Sequence, residues 1–418
     1  MNKKWQICEV DKEKVEKLKS KYGISELLAT ILVNKNITTQ KEIEEFLNPT
    51  RNDFFDPFLI NDMDIAVERI RKAIETQEKV IIYGDYDVDG ITSITVLKSF
   101  LKDVGLDVDY YIPNRLEEGY GLNKYAIDEI AKNKYTLMIT VDCGISAIEE
   151  VNYANSLGIE VIVTDHHEPG EELPKALAVI DNKRKDSKYL FRELAGVGVA
   201  FKVSQALAQS MNVKEEEYLK YLDIVCVGTI SDIVPLISEN RVITKLGIKL
   251  LKQTRNTGLK AIINSSGYSQ INSTTISFGV APRINACGRM GKAEQALKLL
   301  LSKDIYEVNK LTQELNNYNR ERQEIEKEIF ESVLNKIEQN NLDKNRTIVV
   351  GGEGWHHGVI GIVSSKITEK YFKPSILLSF EEDGIGKGSG RSIPGFDLHE
   401  ALMKCENCLE KFGGHSMA

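Results

Sequence analysis

Apolar positions change their spacing several times along the chain, and each change predicts a different kind of element. Up to about residue 76, apolar side chains recur every three or four residues, which is the spacing of amphipathic helices. The helices predicted in this N-terminal segment, residues 1–76, are 10–22, 25–32, 39–47 and 64–76. The chain is therefore expected to begin with a helical segment.

A second pattern begins at residue 77, where short runs of Val, Ile, Leu and Tyr predict strands. The predicted strands are 79–84, 108–113, 136–141, 160–164 and 177–180, and the helices between them are 91–104, 124–132 and 146–157. Apolar strands that alternate with helices indicate a mostly parallel sheet covered on both faces. From 194 to about 251 the pattern is mainly helical, so residues 77–303 are predicted as an α/β domain with a helical insertion.

The segment 304–346 has no Gly or Pro and carries many charges, with apolar residues at helical intervals. This pattern predicts one long helix, or two in series, connecting two domains. A surface helix of the first domain fits the same pattern. Beyond it, strands at 347–351 and 375–379 flank a helix at 359–371, which predicts a second, smaller α/β domain over residues 347–418.

Composition and charge narrow the class of protein. The 418 residues exceed the roughly 250–300 at which single cores stop growing, so several domains are expected. The formal net charge of −8 excludes a protein that coats nucleic acid by bulk charge, so any such partner must be held by local basic groups. We expect a cytoplasmic location and no membrane association, since no stretch reaches the roughly 18 apolar residues of a membrane span.

Three carboxylates follow the first predicted strand at alternate positions: Asp85, Asp87 and Asp89. Ligands of open α/β sheets bind at the carboxyl ends of strands, which is where these residues lie. Because carboxylates this close repel one another, a bound cation is expected among them. A calcium loop of the EF-hand type is excluded, because Val96 stands where that loop requires Glu.

Two later predicted strands also end in acids. Asp142 ends one, and Asp165-His166-His167 ends the next, while Asp232 follows an apolar helical stretch. Strand-end topology would gather these side chains on one rim of the sheet, and carboxylate with imidazole suits Mn²⁺ or Mg²⁺ better than Zn²⁺. Helix capping would explain any single Asp. It does not explain why three strand ends each carry one.

These residues resemble the motifs of the DHH phosphoesterase family, which is named for the triplet at 165–167. Within that family, the order of the blocks is similar to the RecJ branch of single-strand-specific exonucleases. The matching segments, spread over roughly residues 75–418, are 84–90, 112–122, 141–144, 165–167, 231–236, 281–291, 354–361 and 388–392. Members of the branch usually continue into an oligonucleotide-binding barrel. This sequence ends shortly after Gly413-Gly414-His415, so the second domain is expected to be C-terminally incomplete.

The resemblance implies a 5′→3′ exonuclease specific for single-stranded DNA that releases 5′-mononucleotides and acts in DNA repair and recombination. It implies two divalent ions per active site, Mn²⁺ or Mg²⁺, with Asp142 bridging them. The implied metal ligands are Asp85, Asp87, Asp89, Asp142, His166 and Asp232. The implied catalytic residues are His167, Asp142 and Asn285, although His167 would also fit as a packing histidine.

The resemblance also implies residues that hold the strand. They are Arg115, Tyr120, Arg283, Arg289, Trp355, His356, Ser389, Arg391 and His415. Ser389 and Arg391, in a glycine-rich turn, are expected to hold a 5′-phosphate. The arginines Arg115, Arg283 and Arg289 would equally fit structural ion pairs, and a buried Trp355 would fit a core.

The expected partners are single-stranded DNA with a 5′ end, a single-strand-binding protein and a helicase. Two other functions fit part of the pattern. One is a DHH phosphatase or oligoribonuclease acting on short oligonucleotides or on 3′-phosphoadenosine phosphate. The other is a non-catalytic binding subunit built on the same scaffold.

Overall fold

The computed structural model describes residues 7–381, 384–414 and 416–418. The fold is α/β, as predicted. A large lobe holds a parallel five-stranded sheet and a helical part, one long helix leads out of it, and a small lobe holds a three-stranded sheet. In the described part of the chain, no helix is long and apolar enough to cross a membrane.

Four helices precede the large sheet, at nearly the predicted positions. They are α1 (Lys12–Tyr22), α2 (Glu26–Asn34), α3 (Gln40–Leu47) and α4 (Met63–Thr76). Asp11, Ser25 and Thr39 each accept a backbone N–H at the start of the next helix, which satisfies donors that a helix start leaves unpaired. The helices α1 to α3 share a small core of their own, whereas α4 packs against the large lobe.

The large sheet confirms the five predicted strands. Its strands are β1 (Val80–Gly84), β2 (Asp109–Tyr111), β3 (Leu137–Val141), β4 (Glu160–Asp165) and β5 (Ala178–Asp181). All neighbours pair in parallel, in the order β2-β1-β3-β4-β5. Every residue of β1 and β3 is buried, as expected for a sheet covered on both faces.

Helices cover both faces of this sheet. The helices that connect its strands are α5 (Val88–Asp103), α6 (Lys124–Lys132) and α7 (Ile148–Ser156). Residues of α6 and α7 pack with one set of alternate strand residues, while α4 and α5 pack with the other set. Because β2 and β3 lie on opposite sides of β1, the chain reverses its winding direction between β1 and β3. A crevice forms at the carboxyl ends of these two strands, and such a crevice is the usual ligand site of the fold.

The helical part follows β5. Its helices are α8 (Gly196–Ser210), α9 (Glu216–Leu219), α10 (Leu222–Ser231), α11 (Ser238–Leu251), α12 (Thr257–Ser265), α13 (Ala281–Arg289) and α14 (Ala293–Leu301), with a π-helical turn at Thr275–Val280. Gly228 allows α10 to pack tightly on α5, since an added Cβ would lie 2.3 Å from Thr92 Oγ1. This close packing brings the C-terminal end of α10, and Asp232 after it, to the crevice.

The segment predicted to connect the lobes forms one continuous helix, α15 (Ile305–Gln339). Its N-terminal half packs on α12, α13 and α14, and Ile329, Val333 and Ile337 from its second half enter the core of the small lobe. This helix therefore connects the two lobes, as the first interpretation predicts, and does not belong to the surface of the first lobe alone.

The small lobe contains β6 (Ile348–Glu353), α16 (His357–Tyr371), β7 (Ser375–Phe380), β8 (Gly386–Arg391) and α17 (Leu398–Met403). Its sheet has the order β6-β7-β8, with β8 antiparallel to β7. The prediction of a glycine-rich turn at Ser389 and Arg391 is wrong. The glycines serve close packing within a strand instead, since a Cβ at Gly390 would lie 2.6 Å from Leu398 Cδ2. The exact domain limits proposed from the sequence stay predictions.

Candidate metal centre and substrate cleft

The loop after β1 turns back sharply and presents its carboxylates to the crevice. A Cβ at Gly90 would lie 2.4 Å from the Asp85 carbonyl oxygen, so only glycine permits this close return. Asp87 caps α5 by accepting the Gly90 N–H at 3.0 Å, and Asp89 lies in the first turn of that helix. Capping is therefore one role of Asp87, but it leaves Asp85 and Asp89 unexplained.

Asp142 follows β3 in a left-handed backbone conformation, with φ at +60°. Few residues other than glycine adopt it, and such positions are common at functional sites. A Cβ at Gly196 would lie 2.5 Å from Asp142 Oδ1, so the start of α8 closes over this carboxylate. The N–H groups of Gly196 and Val197 donate to Asp89 at 2.6 and 2.9 Å. The helix start thus stabilises a buried negative charge.

The predicted metal ligands converge at the crevice. Their candidate ligand atoms form three groups, each within 4.8 Å: Asp85, Asp87 and Asp142; Asp89, His166 and Asp232; and Asp142, His166 and His167. His166 Nε2 lies 3.1 Å from Asp142 Oδ1 and 3.7 Å from Asp232 Oδ2. Asp142 therefore lies where two sets of ligand atoms meet.

Burial and mutual repulsion make the ionised carboxylates of this cluster unfavourable. Burial, and then repulsion from neighbouring carboxylates, raises the pKa values of Asp85 and Asp142 well above the ordinary range. The same causes raise the pKa values of Asp89 and Asp232 to about 7. Burial also lowers the pKa of His166, which keeps its imidazole neutral at pH 7. A metal binds neutral imidazole and ionised carboxylates, so a bound cation would displace the protons that these raised pKa values favour.

Unpartnered polar atoms show that these residues fit divalent cations. Within the described structure, Asp85 Oδ1, Asp142 Oδ1 and both ring nitrogens of His166 are buried without a hydrogen-bond partner. Buried polar atoms are nearly always paired, so a group of unpaired ones marks a place for a bound species. Carboxylate oxygens and imidazole nitrogen are donors that Mn²⁺ and Mg²⁺ accept.

His167 differs from His166 in its charge. Its Nδ1 lies 2.7 Å from Asp165 Oδ1, and Asp165 is held by the Ile145 N–H. Burial alone would lower the pKa of His167, but Asp165 outweighs it and raises the pKa to about 9. In the metal-free site, the His167 imidazole is therefore protonated at neutral pH. The Tyr120 hydroxyl lies 3.5 Å from it, beside the acidic cluster.

Arginines line the crevice towards the small lobe. The Arg115 guanidinium lies 5.0 Å from the centre of the Tyr86 ring. Arg289 donates to the Gly358 carbonyl at 2.9 Å, and burial, with nearby arginines, lowers its pKa to about 10. Arg391 donates to Ser389 Oγ at 3.1 Å on β8. These guanidinium groups form a positive wall, which suits phosphate groups.

Some predicted substrate residues have other contacts. Arg283 donates to Asn316, Gly279 and Ser265, which favours the structural alternative. Trp355 is only 9% exposed and packs in the core of the small lobe, which favours a core role over base stacking.

Three further predicted site residues lie in different surroundings. His356 caps α16 by accepting the Gly358 N–H. Asn285 Oδ1 accepts the Val88 N–H at 3.3 Å, beside the cluster. His415 lies outside the described residues.

Sequence reasoning missed Asp181. This residue ends β5 opposite Asp165, is buried, and has its pKa raised to about 7 by burial. Its Oδ2 has no hydrogen-bond partner in the described structure. The signal that located Asp85 and Asp142, an acid at a strand end, was present here as well.

Comparison with family models places two domains on the chain. Residues 79–229 match the DHH family, N-terminal domain, and residues 344–418 match the DHHA1 domain. The first match contains the acids that follow β1, β3 and β4. The second contains β6, β7 and β8, with Ser389 and Arg391.

Curated relatives resemble nearly the whole chain. A single-stranded-DNA-specific exonuclease RecJ from Bacillus subtilis is 43% identical over 99% of this chain and 52% of its own length. The protein of the same name from Dickeya dadantii is 35% identical over 94% of this chain and 71% of its own length. The chain thus spans about half the length of the Bacillus relative.

Solved structures agree with the sequence matches. RecJ from Thermus thermophilus in complex with Mn²⁺ superposes with a TM-score of 0.83 and 30% identity, over 97% of this chain and 58% of that one. An exonuclease RecJ bound to manganese superposes with a TM-score of 0.77 and 35% identity, over 86% of this chain and 89% of that one. Sequence, fold and motif order together establish that the chain belongs to the RecJ family of DHH proteins.

Proposed function

We propose that this chain hydrolyses phosphodiester bonds of single-stranded DNA, beginning at a 5′ end. The observation that carries the proposal is the meeting of three groups of ligand atoms at Asp142 and His166, in the crevice between β1 and β3. The names of the RecJ relatives support single-stranded DNA as the substrate. The manganese-bound RecJ structures support a divalent metal.

The groups of candidate ligand atoms would accommodate two ions, Mn²⁺ or Mg²⁺. Asp85, Asp87 and Asp142 would hold one, and Asp89, His166 and Asp232 would hold the other. Asp142 also groups with His166 and His167, and its Oδ1 lies 3.1 Å from His166 Nε2, so its carboxylate is close enough to both sets to be shared. When bound, such a pair activates a water molecule and neutralises charge on the scissile phosphate.

Protein groups around the cluster then act on the phosphate. Protonated His167, held by Asp165, donates a hydrogen bond to a phosphate oxygen or a proton to the leaving oxygen. Asn285, tied to the Val88 N–H, offers an amide N–H₂ from the neighbouring helix. Tyr120, half exposed beside His167, offers a ring face for a base.

Recognition of the 5′ end rests on the small lobe. Arg391 and Ser389 face α16, where a Cβ at Gly361 would lie 2.9 Å from Ser389 Oγ and 3.1 Å from Arg391 Nη2. Glycine therefore keeps this wall open for a terminal phosphate dianion. Arg115 and Arg289 are near enough to Arg391 and to the acids after β1 to interact with both, and they would hold the strand backbone.

The test is a degradation assay on 5′-phosphorylated single and double strands with Mn²⁺. Release of mononucleotides from the 5′ end of single strands is expected, with the duplex resistant. The control is Asp142→Asn, which keeps side-chain size and tolerates the left-handed backbone. Turnover of dinucleotides alone would contradict the proposal and favour the small-substrate phosphatase. Equal residual activity of wild type and variant would favour a binding subunit. Roles in repair, a cytoplasmic location, a single-strand-binding protein and a helicase remain predictions.

A further inference from the structure

A cavity of about 540 Å³ opens beside the acidic cluster, between the large lobe, the connecting helix and α16 of the small lobe. Its volume is in the range of small-ligand pockets. None of the roles proposed above accounts for its apolar walls, which come from Ile233, Phe278 and Pro282. These apolar walls suit a ligand group that the roles above do not include.

The cavity adjoins the proposed reaction centre at two points. Ser231 and Ile233, which line it, are the neighbours of Asp232 in the chain. Asn285, which also lines the cavity, accepts the N–H of Val88, the residue between Asp87 and Asp89. A group bound in the cavity would thus lie next to a phosphate held at the acidic cluster.

Two large apolar side chains are exposed at this place. Ile233 is 88% exposed and has φ at +63°, a left-handed conformation that a β-branched residue rarely adopts. Phe278 is 68% exposed and lies on the π-helical turn Thr275–Val280, a feature frequent at functional sites. A strained backbone and an exposed aromatic ring beside a reaction centre indicate a contact that forms only with ligand.

The charge of the cavity selects the ligand. Arg289 and Arg322 line it, and no acid does in the part of the chain that the structure describes. Arg322 is paired with the buried Glu326, which leaves Arg289 as the cation for a ligand. Arg289 keeps its charge because its lowered pKa is still about 10. Apolar walls with guanidinium groups suit a ligand with both a flat apolar part and a phosphate, which is a nucleotide.

We propose that this cavity holds the base of a nucleotide adjacent to the scissile phosphate, with Phe278 as the stacking surface and Ile233 as the facing wall. The inference rests on the proposed function and deepens it. Stacking tolerates any base, because every base has an aromatic face. Ser231 Oγ donates to the Val227 carbonyl, and Asn285 Oδ1 accepts the Val88 N–H, so the two side chains leave one hydroxyl acceptor and one amide donor for the edge of a base.

The test uses 5′-phosphorylated single strands in which one abasic residue is moved along the first nucleotides. Binding is measured by fluorescence anisotropy in EDTA, and degradation is measured separately with Mn²⁺. For the wild type, one abasic position is expected to weaken binding about tenfold, the size of one stacking contact. Phe278→Ala should weaken binding of the intact strand about tenfold and be insensitive to that position.

Two variants serve as controls. Phe278→Tyr keeps the ring and should restore the dependence on abasic position that Phe278→Ala loses. Tyr306→Ala removes an aromatic side chain that is 83% exposed on α15 and does not line the cavity, so the positional profile should not change. Since Phe278 and Tyr306 are both exposed, we expect the variants at these positions to melt at the same temperature as wild type.

A positional effect that persists in Phe278→Ala would overturn the inference, and so would equal weakening at every abasic position. A wild type that binds the strands but degrades none would contradict the proposed function instead. The binding profile in EDTA reports on the cavity in either case.

Discussion

Two of the clusters of buried charged side chains in the large lobe differ in whether each charge has a partner. In the first, Lys202 and Glu239 are fully buried and their charged atoms lie 2.9 Å apart. Lys202 also donates to the Phe55 carbonyl at 2.7 Å, and Glu239 accepts from the Phe55 N–H and the Tyr189 hydroxyl. This cluster ties the segment before α4 to α8 and α11.

In the second cluster, the buried acids outnumber the groups that could pair with them. Asp85, Asp89 and Asp142 are buried together with His166, and several of their polar atoms have no partner in the described structure. Removing a charge from water is costly unless the charge is paired. The paired cluster therefore has a structural role, whereas the unpaired one is complete only with cations.

The largest expected effect is that of Asp142→Asn. Loss of the shared carboxylate should lower strand degradation about 1,000-fold, since metal ions contribute several kcal/mol to the transition state. The same change removes one of several repelling charges, so the metal-free protein should melt at a higher temperature than wild type. Degradation rates and thermal melts in EDTA measure the two effects. An inactive variant that melts at a lower temperature than wild type would contradict the claim that the carboxylates of the metal-free cluster repel one another without a partner.

Breaking the paired cluster should change stability and leave the chemistry intact. Lys202→Met leaves Glu239 buried without its cation and should lower the free energy of unfolding by about 3–5 kcal/mol. The matched control is Lys202→Met with Glu239→Leu, which removes both charges and should recover part of the loss. Urea unfolding measures these differences. A loss below about 1 kcal/mol in the single variant would place this pair among weak interactions.

A smaller effect is expected when Asp165 no longer holds His167. Asp165→Asn removes the charge that raises the pKa of His167 to about 9, so the pKa should fall towards or below its ordinary value. His167 then loses its proton as the pH rises through a lower range. We expect degradation about 100-fold slower at about pH 8, with recovery on acidification. The pH profile of kcat is the readout, and an unchanged alkaline limb would exclude this role of His167.

The smallest effect is the pH dependence of the metal-free protein. Asp89 and Asp232 have folded pKa values of about 7, above those of unfolded chains, because of burial and then repulsion. The folded state therefore binds more protons, and stability from these groups decreases as the pH rises through about 7. Protons also compete with metal, so Mn²⁺ affinity should weaken about tenfold between about pH 8 and about pH 6. Thermal melts and calorimetric titrations check the two signs, which must be opposite.

Local pattern was sufficient where periodicity and strand ends carry the information. It located the five strands of the large sheet and brought Asp85, Asp142 and His166 to one crevice, because parallel strands end at one edge. It failed for Arg391, because alternating glycines resemble a turn although they pack a strand.

Contacts between residues that lie far apart in the sequence could not be predicted from local pattern. Lys202 and Glu239 stand 37 residues apart, and nothing local indicates that they meet in the core. Neither the exposure of Phe278 nor the cavity beside it follows from local pattern, because both depend on how distant helices pack.

The most direct measurement is the number of Mn²⁺ ions bound per chain by metal-free protein. Wild type should bind two ions, and electron paramagnetic resonance should show them magnetically coupled, because Asp142 would bridge them. Asp142→Asn should lose the coupling, and Lys202→Met should keep it. Binding of no more than one ion by wild type, or a coupled pair that survives in Asp142→Asn, would contradict the assignment of the unpaired cluster as a two-metal site.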